Sequence, residues 1–126
     1  LDLRRKTCAG DVLSQKDRLL DIVGGIDHCY SFENAAEEEK AWLYSPLSGI
    51  TMKVYSDCEG MQVYSGNFLT GADVGRYGKE LVSRSGICFE PQRYPDSINQ
   101  PAFPDPILRP GETYHQFTLY QFGIAE

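Results

Sequence analysis

Three polar side chains sit where the local pattern would hold them still, and each has its own chemistry. Glu90 closes the short apolar run Ile87-Cys88-Phe89 and opens a segment stiffened by Pro91, Pro95, Pro101, Pro104, Pro106 and Pro110. Strand alternation puts Ile87 and Phe89 on one face, and Cys88 and Glu90 on the other. In isolation, such a carboxylate reads as a solvated edge residue. The loop that follows supports a second reading. Prolines fix φ and lower the entropy cost of a single loop shape. The run through Tyr94-Pro95-Asp96, Asn99-Gln100-Pro101 and Phe103-Pro104 is therefore expected to hold the acid in one setting and partly desolvate it. Desolvation raises a carboxylate's affinity for protons, which is the adjustment a general base needs.

Asp27 and His28 follow Gly24 and Gly25 in GGIDHCYSF. Paired glycines let the backbone turn tightly and approach a ligand closely. The plainer reading makes Asp27 a turn cap and His28 a half-buried strand residue, and the pattern does not separate the two. Gln62 falls on the face opposite Met61 and Val63, the ordinary place for a solvent-facing side chain. Trp42, Tyr44, Tyr55 and Tyr64 read either as core or as a platform for the C–H faces of a sugar ring. The second histidine, His115, is expected in a strand with no acid or cysteine beside it in sequence. No metal site can be argued from this set, and the phosphate-loop, dinucleotide and zinc-protease motifs are absent.

The elements that must position these residues are mostly strands. Helical periodicity is poor, with one short candidate from Asp11 to Ile22. AWLYSPLSGITMKVYSD reads as strand, turn and strand, with Met52 and Val54 on one face and Lys53 and Tyr55 on the other. CEG turns the chain into the strand MQVYSG, and YHQFTLYQFGIA, rich in aromatic and β-branched residues, predicts a long final strand. Thr70 to Ser85 reads as a surface loop, and no repeat or internal linker is visible. The expected fold is a single all-β, antiparallel unit over residues 1–126, with few short helices.

Composition narrows the function classes. A chain of 126 residues that is 41% hydrophobic and 24% charged can build one modest core. The net charge of −6, with acids massed at Glu37-Glu38-Glu39 in an expected solvated turn, argues against nucleic acid or an anionic membrane as main partner. No apolar stretch approaches the ~20 residues of a membrane span. Cys8, Cys29, Cys58 and Cys88 form no C-x-x-C pair and read as free, buried thiols, which favours a reducing compartment such as the cytosol.

Taken in order, these segments resemble the aldose 1-epimerase family, specifically its C-terminal part. LDLRRK is similar to the family's D-F-R stretch and GGIDHCYSF to G-G-x-D-H-[NC]. SGITMKVYSDCEGMQVYSGNFL resembles S-G-R-x-M-x-V-x-T-x-x-P-G-x-Q-x-Y-T-G-N-F-L. GICFEPQRYPDSINQPAFPDPILRPGETY follows C-L-E-[TP]-Q-x-[WFY]-P-D-x-x-N-x-P-x-F-P…L-x-P-G-E-x-Y. The resemblance implies part of a large β-sandwich, with Glu90 as general base, Asp27 as ligand to sugar hydroxyls and Gln62 in the same pocket. The implied reaction interconverts the α and β anomers of a free hexose such as galactose or glucose, with no cofactor and no metal.

The departures from the family pattern bear on function. The family's acid histidine lies in an H-x-Y-[FW]-N-L segment, and neither that segment, a second upstream histidine nor the N-R pair occurs here. Ile50 stands where the family usually has Arg, and Cys58-Glu59-Gly60 replaces a turn ending in Pro-Gly. The opening LDLRRK also reads like mid-chain sequence. The expectation is therefore the base-bearing portion of an epimerase, partnered by the N-terminal part of the same protein. The alternative is a non-catalytic carbohydrate-binding module or truncated fragment derived from one.

Overall fold

The computed structural model describes residues 1–33 and 36–125. In chain order the elements are α1 (Ala9–Leu13), α2 (Arg18–Val23), β1 (Asp27–Ser31), β2 (Glu38–Tyr44), β3 (Ile50–Ser56), β4 (Gly60–Tyr64), β5 (Thr70–Val74), β6 (Glu80–Val82), β7 (Cys88–Gln92) and β8 (Thr118–Ile124). Strands run β1-β4-β7, β2-β3-β8 and β5-β6 in three sheets. The β2–β3, β3–β8 and β5–β6 pairs are antiparallel, so the expected all-β class is the one found. No helix among the described residues is long and apolar enough to cross a membrane. The chain forms two compact units, Leu1–His28 with Val63–Cys88, and Cys29–Gln62 with the described residues from Phe89 on.

In the first unit the expected helix from Asp11 to Ile22 is two short ones. Ser14 ends α1, its hydroxyl donating to the Asp11 carbonyl at 2.9 Å. Asp17 then starts afresh as an N-cap, accepting from the Leu19 amide at 2.8 Å. Each helix buries one residue, Val12 and Leu20, which explains why the apolar positions fit no single continuous face. Gly24 closes α2 in the left-handed region, at φ 68°. The chain then meets a buried polar knot. The Ser65 amide and hydroxyl and the Asn67 side-chain amide all donate to the Ile26 carbonyl, and the Ile26 amide donates to Ser65 Oγ at 3.0 Å.

The knot explains the second glycine. Gly25 sits at φ 156°, and an added Cβ would be driven into the Asn67 side chain and come within 3.0 Å of Ser65 Oγ. Asn67 cannot swing aside without giving up its hydrogen bonds to the Ile26 carbonyl and the Ser65 hydroxyl. Gly25→Ala is expected to destabilise the protein by about 1–3 kcal/mol, the scale of local backbone strain. Urea unfolding reads this directly, and an unchanged midpoint would show that Asn67 can give way freely.

Thr70 to Ser85, expected as a loop, contains the β5–β6 hairpin, turned through Arg76–Gly78 with the Gly75 amide donating to the Lys79 carbonyl at 2.8 Å. Nearly every residue of this hairpin is exposed, so neither face leaves an apolar alternation in the sequence.

In the second unit the β2–β3 hairpin matches the expectation, with the turn closed by Gly49 at φ 73°. Val54 and Ser56 are buried on β3, as Met61 is on β4. Ile50 simply opens β3, facing Ile124 across the pair. Glu38 and Glu39 start β2 rather than forming a turn. They remain exposed, paired with Lys40 at 3.0 Å and Lys53 at 2.8 Å. The final strand is shorter than expected: pairing with β3 begins at Thr118, after Gln116 and Phe117 have bonded to Pro91 and Asp57. All four cysteines are free thiols, but only Cys58 is buried and Cys8 and Cys88 are exposed, which corrects the expectation of buried thiols. Burial pushes the half-buried Cys29 thiol upward in pKa.

Candidate active site

Glu90 occupies the middle of β7, an edge strand in the order β1-β4-β7. An edge strand tolerates the missing N–H of Pro91. Phe89 is half-buried while Cys88 and Glu90 are exposed, so the expected alternation holds. The expected shielding of Glu90 by the loop does not: its side chain is exposed. The reason is where the loop docks. Tyr94 Oη donates to the Glu59 carbonyl at 3.1 Å, and the Tyr94 ring meets Phe103 edge-on at 5.0 Å. Gly60, at the start of β4, lies beneath that ring, and a Cβ there would come within 3.0 Å of it.

The loop is nonetheless rigidly organised, and two aspartates do much of it. Asp96, in the left-handed region at φ 60°, accepts from the side chains of Asn99 and Gln100. Those donors hold its carboxyl below the usual range. Asp105 accepts from the Ile107 amide at 3.0 Å and pairs with Arg109 at 2.8 Å, and its carboxyl is likewise lowered. Neither residue stood out in the sequence, although Asp before a Ser-Ile-Asn turn is a recognisable local signal.

Gln62 lies on β4 in the second unit, half-buried between the buried Met61 and Val63. Asp27, half-buried, opens β1 in the first unit, delivered by the Gly24-Gly25 turn. Its amide donates to His28 Nδ1 at 3.0 Å, which leaves the hydrogen of a neutral His28 on Nε2. His115 is not in a strand, and the fold brings it an acid that the sequence did not. Its Nδ1 lies 3.5 Å from Asp57 Oδ2 on an exposed surface, while Asp57 Oδ1 accepts from the Phe117 amide at 2.9 Å. None of the four aromatic candidates is buried, so they do not form a core. Trp42 and Tyr44 stack at 5.9 Å on β2, and Tyr64 stacks on Phe68 at 6.1 Å in the first unit. An open cavity of about 660 Å³ is lined by Arg93, Asp105, Arg109, Glu112, Tyr114 and His115 among others, but not by Glu90 or Gln62.

This arrangement is a carboxylate on a braced edge strand, with an amide on the neighbouring strand. Residues 3–121 match the family described as Aldose 1-epimerase. The chain belongs to the aldose 1-epimerase family. It is 39% identical to galactose mutarotase of Mus musculus over 104 residues, covering 82% of this chain and 30% of that protein. It is 38% identical to the Homo sapiens galactose mutarotase over the same shares. Against aldose 1-epimerase of Escherichia coli it is 36% identical over 125 residues, or 96% of this chain and 35% of that one. A solved GalM/aldose epimerase homologue from C. elegans superposes with a TM-score of 0.73 at 25% identity, covering 80% of this chain and 30% of the homologue. The chain thus spans about a third of the length of the epimerases it matches.

Proposed function

We propose that this chain supplies the base side of an aldose 1-epimerase acting on a free hexose such as galactose or glucose, with Glu90 as the general base. The observation that carries this reading is the placement of Glu90. It is an exposed carboxylate on an edge strand whose following loop is pinned by Tyr94, Asp96 and Asp105. In this mechanism the Glu90 carboxylate takes the proton from the sugar's C1 hydroxyl while an acid protonates the ring oxygen. The bond between C1 and the ring oxygen breaks to give the open-chain aldehyde. C1 turns about its bond to C2, and the reverse transfers close the ring on the other face. The acid comes from a preceding N-terminal segment of the same protein, since the family's acid-histidine segment is not in this sequence. Free, unpaired thiols fit a reducing compartment such as the cytosol.

In this proposal Asp27 and Gln62 hold the sugar. A carboxylate accepting from sugar hydroxyls contributes about 1.5–3 kcal/mol through charge-assisted hydrogen bonds. Asp27→Ala in the full-length protein is accordingly expected to raise the sugar Kd by roughly ten- to a hundredfold on that scale. Isothermal titration with galactose and glucose tests it, and unchanged affinity for both would reduce Asp27 to a turn residue.

A further inference from the structure

We infer that Tyr120 and Gln116 are positioning residues for Glu90, tethering the strand on both sides of the carboxylate. The inference rests on the assignment of Glu90 as the base. In β7, residues two apart direct their carbonyls to the same edge, so Phe89 and Pro91 present theirs together with Glu90 between them. Both carbonyls are taken up by side chains from the C-terminal segment. Tyr120 Oη donates to the Phe89 carbonyl at 2.7 Å, and Gln116 Nε2 donates to the Pro91 carbonyl at 3.2 Å.

Each tether is itself held. The Tyr114 hydroxyl donates to Gln116 Oε1 at 2.7 Å, which fixes the amide so that its nitrogen faces Pro91. Tyr120 lies opposite the fully buried Val54 in the β3–β8 register, which fixes the origin of its ring. The chain between them is anchored through Phe117, whose amide donates to Asp57 and whose carbonyl accepts from Ser56 Oγ at 3.0 Å. Pro91 removes one rotatable φ immediately after the carboxylate. Glu90 is therefore exposed yet carried on a backbone fastened one residue before and one residue after it. A general base must be held within a fraction of an ångström of its proton, and misplacement by about 1 Å costs on the order of a hundredfold.

The test is steady-state mutarotation kinetics on the full-length protein with Tyr120→Phe, Gln116→Met, the pair together, and each single change combined with Glu90→Gln. Tyr120→Phe removes one hydroxyl and keeps the ring. It is expected to lower kcat about tenfold with KM unchanged, and the pair about a hundredfold, within the range for a misplaced catalytic group. A purely structural role predicts loss of folded protein with normal kcat per folded molecule. On the Glu90→Gln background neither change should reduce kcat further, because both act through the same carboxylate. Normal kcat in the folded Tyr120→Phe/Gln116→Met pair, beside a crippled Glu90→Gln, overturns this inference alone. If Glu90→Gln keeps its turnover, the base assignment fails first and the tethers lose their catalytic meaning with it. Should Tyr120→Phe not fold, Gln116→Met reads the second tether by the same criteria.

Discussion

Replacing Glu90 by Gln in the full-length protein lowers kcat by about 10²–10⁴, the contribution of a positioned general base. Gln keeps the shape of the side chain and its hydrogen-bonding reach and removes only the capacity to take a proton. The backbone around it should not respond, because the tethers at Phe89 and Pro91 engage main-chain carbonyls and not the carboxylate. KM should change little, so the loss falls on the chemical step. Steady-state kinetics on galactose and glucose separate the two quantities. Turnover within a few-fold of wild type would make Glu90 an edge residue, as its exposure alone would allow.

The 126-residue chain by itself leaves the spontaneous rate of mutarotation unchanged. It carries the proposed base Glu90, but the family's acid-histidine segment is not in this sequence. Without an acid, ring opening must expel a poorly stabilised alkoxide and forfeits a contribution of about 10²–10⁴. The isolated chain should also associate with itself. Strand β8 is an edge exposed along its whole length, with Phe122 68% and Ile124 73% accessible. Such an edge templates pairing with other chains. Light scattering on the purified chain is expected to show oligomers, and Glu90-dependent acceleration of mutarotation by the chain alone would mean that His28 or His115 serves as the acid.

The parts of the fold that were legible in sequence are those where one strand face is buried. Val54 against Lys53 and Tyr55, or Met61 and Val63 against Gln62, show alternation because burial enforces it. The β5–β6 hairpin was illegible because almost all its residues meet solvent, so no period is imposed on them. The helix that split at Ser14 shows the reverse case, in which a side-chain cap at Asp17 outweighs a loosely matched apolar face. The site divides along the same line. Glu90 could be picked out because a strand, an acid and a proline-rich loop are adjacent in sequence. Tyr120, Gln116 and Asp57 could not, since their partners lie 31, 25 and 60 residues away and a side chain bonding to a distant backbone group imposes no local pattern. The expected shielding of Glu90 failed for a related reason: the loop's stiffness was readable, but its docking on Glu59 and Gly60 depends on tertiary contact.

The most direct test is polarimetry on freshly dissolved α-galactose with the full-length protein and its Glu90→Gln variant. The wild-type protein should bring the optical rotation to equilibrium faster than the spontaneous reaction, in proportion to protein concentration, and the variant should return the rate close to the spontaneous one. No acceleration by the wild type with either galactose or glucose, or acceleration that Glu90→Gln retains, would contradict the assignment of this chain as the base-bearing part of an aldose 1-epimerase.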